Sequence, residues 1–70
     1  MNDERDFTSS AAVEMWDAAR LVITRAGNFI DACNDLREAA TNPEVKSMYS
    51  IAITEAQTAQ MWAVKAATWR

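Results

Sequence analysis

Seventy residues with a net charge of −3, one cysteine and no histidine make one small domain. A single thiol excludes an internal disulfide, and the lack of histidine removes Cys/His zinc sites, Ser-His and Cys-His pairs and an imidazole general base. The acidic balance argues against a binder of DNA or RNA polymers, which needs basic patches, but leaves room for a small phosphate ligand held by one or two arginines.

Residues 1–9 read as a polar arm. Its Met1-Asn2-Asp3-Glu4-Arg5-Asp6 run is acidic, unlike a secretory signal or a mitochondrial leader. With a free thiol, this predicts a cytoplasmic protein. No stretch approaches the ~18 apolar residues of a membrane span, so no membrane partner is expected.

The pattern predicts helix one over 10–40. Thr8-Ser9-Ser10 is a run of N-cap residues, and Glu14 lies near the positive end of the helix that follows. Ala12, Met15, Ala19, Val22, Ala26, Phe29, Cys33, Leu36 and Ala40 keep an unbroken 3–4 spacing, which holds one apolar seam along about eight helical turns. Half of that register is alanine or Cys33; the other half is Met15, Val22, Phe29 and Leu36. Small residues let a second helix approach closely, and large ones fill the space beside it. Trp16, Ile23 and Ile30 form a second row at seven-residue spacing, which makes the stripe wider than one partner helix covers. Gly27 costs roughly 1 kcal/mol against alanine inside a helix. The register crosses it without slipping, so one continuous or mildly kinked helix is expected rather than two hinged ones.

Thr41-Asn42-Pro43-Glu44 is the one clear boundary. Thr41 and Glu44 have capping-box spacing, and Pro43 falls in the first turn, where its missing N–H is harmless. Helix two is predicted over 43–69. Ala52, Ala56, Ala59, Ala63, Ala66 and Ala67 line it as a close-approach row, flanked by Val45, Met48, Tyr49, Ile53, Trp62 and Trp69. Two long helices with a short connection form an antiparallel hairpin. Below about 70–80 residues a single core rarely supplies enough stability without a disulfide, a metal or a partner subunit. The expected fold is therefore all-α: an antiparallel helical hairpin assembling into a homo-oligomeric helical bundle.

Little in the chain supports catalysis, and no enzyme activity, catalytic residue, metal or cofactor is expected. Cys33 lies in the apolar seam, which reads as a buried structural thiol. Asp31, Asp35 and Glu38 share one helix face, but helix two offers only Glu44 and Glu55, eleven residues apart. No second carboxylate pair exists to hold Mg²⁺, so a solvated acidic face is the reading there. The Asp35-Leu36-Arg37-Glu38 stretch reads as ordinary surface charge near a helix end. Aromatic and arginine side chains are the remaining candidates. Trp16 and Arg20 are an i, i+4 pair, which places ring and guanidinium together. Trp69-Arg70 supplies another such pair at the far end of helix two. In an antiparallel hairpin both pairs gather at one end, where indoles could stack on bases while arginines take phosphates.

Helix two carries a further pattern. Ser50, Ala52 and Thr54, then Ala59-x-Met61-Trp62-Ala63 and a closing alanine-rich turn ending in Arg70, resemble the C-terminal half of the phage anti-CBASS cyclic-nucleotide sponges. In helix one, Trp16-Asp17-Ala18-Ala19-Arg20 is similar to that family's aromatic-acid-Ala-aliphatic-basic turn. The chain keeps only Phe7-Thr8 of the family's N-terminal aromatic stretch and lacks its base-stacking tyrosine. Gln57-Thr58 stands where the family has an acidic pair, the loop between the helices is longer, and Arg70 lies one residue late.

The resemblance implies a compact hexamer of helical protomers. It implies that cyclic di- or trinucleotides bind in pockets between subunits and are held without cleavage, which starves a nucleotide-activated host defence effector. Arg20 and Arg70 would meet phosphates, and Phe7, Trp16, Tyr49 or Trp69 would stack on bases. For a phage protein the setting is the host cytoplasm. The other function considered is a helical homo-oligomeric interaction module that blocks a host protein, with Asp3, Glu4 and Asp6 steering its approach.

Overall fold

A computed structural model of the chain describes residues 10–69. Helix α1 spans Ser10–Ala39 and helix α2 spans Pro43–Ala67. They pack side by side as the expected hairpin, with no strand among the described residues. The arm at 1–9, with the Thr8 and Ser9 caps, lies outside the described residues.

α1 runs through Gly27 without a break, and Gly27 does not have a positive φ. The boundary chemistry differs from the expected capping box. Asn42, not Thr41, caps α2: its backbone is extended (φ −82°, ψ 122°) and its Oδ1 accepts the Glu44 N–H at 2.8 Å. Proline pushes the residue before it out of the helical region, so Asn42 must be the last non-helical residue and Pro43 the first helical one. Thr41 is left one position too early to cap. At the other end Thr68 leaves the helical region (φ −110°, ψ 13°) and the Trp69 N–H donates to the Ala66 carbonyl three residues back, so the helix stops two residues before the predicted end.

The closed end of the hairpin is tied by polar side chains. Lys46 Nζ donates to the Arg37 carbonyl at 2.9 Å. That places a cation on the negative end of the α1 dipole and satisfies a terminal carbonyl. Arg37 is not the ordinary surface charge expected. It is half-buried and donates to Asn34 Oδ1 at 2.7 Å and to Ser50 Oγ, across the helix pair, at 3.0 Å. The long arginine stem reaches α2 because Arg37 sits on the α1 side that faces it.

Why Arg37 faces α2 explains the main departure from the predicted seam. The small row holds: Ala12, Ala19, Ala26, Cys33 and Ala40 are all buried or half-buried. The large row does not. Met15 and Val22 stay half-covered, whereas Phe29 and Leu36 are 52% and 51% exposed. Ile30 and Arg37 take the inner positions instead. A straight α-helix drifts by ~20° per heptad against a strict seven-residue repeat, or about 60° over the three heptads from Met15 to Leu36. That drift swings Phe29 and Leu36 away from α2.

α2 answers with its own inner register: Tyr49, Ile53, Ala56, Gln60, Ala63 and Ala67, each buried or half-buried at unbroken 3–4 spacing. The predicted alanine row therefore splits. Ala56, Ala63 and Ala67 face α1, while Ala59 and Ala66 are exposed. Among the described residues only Ala19, Cys33 and Ile53 are buried, and eleven large apolar side chains are exposed. A hairpin of this kind shelters one seam and leaves the rest of its apolar surface without cover.

Candidate functional site

The open end of the hairpin, opposite the loop, gathers the tryptophans. Trp16 and Arg20 come from the start of α1, and Trp62, Lys65 and Trp69 from the end of α2 and just beyond it. The last three stand at i, i+3 and i+7, so they share one helical stripe. Lys65 Nζ lies 5.1 Å from the Trp62 ring centroid and 5.6 Å from that of Trp69. Ala66 leaves room beside them, and the four residues line a shallow hollow of about 440 Å³. Trp62 and Trp69 are 59% and 71% exposed. The chemistry on offer is two accessible aromatic faces with an ammonium between them, suited to a planar ring that carries negative charge.

The residues expected to form a site are placed unevenly. Phe7 and Arg70 lie outside the described residues. Trp16 is exposed at the open end, but Arg20 does not pair with its ring; it lies 3.8 Å from Asp17, one turn back. Among the described residues the cation–π contacts are the two made by Lys65. The Arg20 guanidinium stays accessible, its side chain 74% exposed. Tyr49 is half-buried near the closed end. Twenty residues of α2 and its cap separate it from Trp69, about 30 Å at 1.5 Å per residue. The hairpin thus brings Trp16, Arg20 and Trp69 to one end and leaves Tyr49 at the other.

Trp62 and Lys65 are the residues that sequence reasoning passed over. The signal was available in the i, i+3, i+7 spacing of Trp62, Lys65 and Trp69. Pairing tryptophans with arginines, Trp16 with Arg20 and Trp69 with Arg70, leaves Trp62 and Lys65 out.

A second surface runs along one broad side of the hairpin. Leu21 and Phe29 of α1 and Ala59 of α2 border a groove of about 550 Å³ whose floor includes Ala26, Ala56 and Ala63, with Arg25 and Gln60 as its polar members. Cys33 is a free thiol buried between the helices. Among the described residues no three His, Cys, Asp or Glu side chains are grouped to hold a metal ion, and no helix is long and apolar enough to cross a membrane.

Comparison with known proteins finds no matching family model, no similar curated protein and no similar solved structure.

Proposed function

We propose that this chain forms a homo-oligomer of helical hairpins that binds a cyclic di- or trinucleotide between protomers and sequesters it without cleavage. The observation that carries the reading is the Trp62–Lys65–Trp69 cluster at the open end, with exposed Trp16 and Arg20 at the same end. Indole faces stack on bases of any identity, and ammonium and guanidinium groups take phosphates. The exposed apolar surface supports self-association, which turns shallow surface hollows into enclosed crevices. The sequence resemblance in helix two supports the phage anti-defence setting, in which the ligand is a host signalling nucleotide. Sequestration needs no catalytic group.

The test is thermal melting of the full chain with a panel of cyclic dinucleotides and trinucleotides, followed by mass analysis of the recovered ligand. A ligand bound only by the folded state adds RT ln(1 + [L]/Kd), about 2.7 kcal/mol at a hundredfold excess over Kd. The expected outcome is a raised midpoint with at least one member and an intact nucleotide afterwards. No shift with any member overturns the reading, and a cleaved nucleotide overturns its non-catalytic part. The apolar groove favours a second reading, an interaction module that docks on a host protein; it predicts no nucleotide response and a partner held by that groove.

A further inference from the structure

The hairpin has two unlike sides. On one, the groove between α1 and α2 is bordered by Leu21, Phe29 and Ala59. Leu36 lies seven residues beyond Phe29, and Met48 lies eleven before Ala59, so the same apolar side continues toward the loop. All five of these residues are exposed. On the other side α2 presents Thr54, Gln57 and Met61, and α1 presents Arg20 and Glu38 beside Trp16 and Ile23. That side mixes its exposed apolar residues with Arg20, Glu38, Thr54 and Gln57.

We infer that a second copy of this chain covers the groove side, pairing two hairpins face to face as a four-helix bundle. The occupant follows from size and from deficit. Leu21, Phe29, Leu36 and Met48, each about half exposed, leave about 400–500 Å² of accessible surface on this side together with the groove's alanines, more than half of the ~800 Å² each partner contributes to a standard stable interface, and Arg25 and Gln60 add to it. The hairpin buries only three of its described residues, so it needs that area for its own stability. A surface required by every copy is matched by another copy, and a two-fold pairing uses the same patch twice. The alanine floor lets the facing helices approach to the short end of the usual 8–10 Å axial range. Trp62, Lys65 and Trp69 lie at the outer edge of α2 and border the seam between copies rather than filling it.

The inference shares only self-association with the proposed function and makes no use of a nucleotide. Its test rests on two methionines that a single hairpin exposes equally, Met48 at 60% and Met61 at 59%. Met48 is on the groove side and Met61 on the other. With the full chain, without nucleotide, peroxide oxidation is followed by peptide mass analysis across a range of protein concentrations. The expected result is that Met48 oxidises at least fivefold more slowly than Met61 at high concentration, and at the same rate after dilution below the dissociation constant. Equal rates at every concentration, or protection of Met61 instead, overturn the inference. Sedimentation of Ala59→Arg and Gln57→Arg gives the second arm. Ala59→Arg should raise the dimer dissociation constant more than tenfold, and Gln57→Arg less than twofold; the reverse order overturns the inference. If Ala59→Arg does not fold, the methionine rates of the unaltered chain decide. A nucleotide shift alongside unprotected Met48 would reject this face and leave the proposed function standing.

Discussion

Replacing Phe29 tests whether a second copy covers the groove side of the hairpin. It belongs to the apolar register of α1, yet helical drift leaves it 52% exposed. A phenylalanine side chain presents about 150–250 Å², so about 100 Å² remains for a partner to cover. At ~25 cal/mol per Å² that is about 2.5 kcal/mol per site, and a two-fold pairing contains the site twice. Phe29→Ala should therefore weaken self-association by about 5 kcal/mol, between three and four orders of magnitude in the dissociation constant. Sedimentation equilibrium over a hundredfold range of protein concentration measures this. Ile23→Ala is the matched control: Ile23 is 49% exposed but sits on the mixed side of the hairpin. It should soften the hairpin while changing self-association by less than tenfold. A Phe29→Ala chain that associates within threefold of the parent would refute the argument, because the uncovered half of the ring would then face water in the native protein.

Three further substitutions probe the hairpin itself. A Cβ added at Gly27 meets nothing within 4 Å, and the helix is regular there, so Gly27→Ala should stabilise by about 1 kcal/mol and raise the melting midpoint by ~4–8 °C. A lower midpoint would mean that another copy's backbone passes close to this position. Asn42→Ala removes the α2 cap and should cost about 1 kcal/mol in denaturant unfolding, while Thr41→Ala should stay within ~0.5 kcal/mol. Equal losses would restore the capping box. Arg37→Met deletes the hydrogen bonds to Asn34 and Ser50 and should cost about 1–2 kcal/mol, with faster amide exchange confined to the closed end; unchanged exchange there would show that the bridge contributes nothing.

Two helices and a boundary at 41–43 were legible in the sequence because their causes are local. Apolar periodicity, one proline and a cluster of capping residues act within a few positions of themselves. The choice between Thr41 and Asn42 as cap was also local, and it turns on how proline restricts its predecessor. The candidate site was legible only in part. Antiparallel pairing correctly brings Trp16 and Trp69 to one end, since connection length alone dictates it. The Trp16–Arg20 stack is not formed among the described residues; Arg20 lies 3.8 Å from Asp17 instead.

What the sequence determined by itself was the pair of rods, their direction and the small-residue row that lets them touch. It could not decide which large residues fill that contact, since a seven-residue repeat and a 3.6-residue turn part company over 30 residues. Only the tertiary structure decided that Ile30 and Arg37 turn inward and Phe29 and Leu36 outward, and that α2 carries alanine on two sides. The physical reason is geometric: a helix position gains a face only once a neighbour fixes the angle from which it is approached.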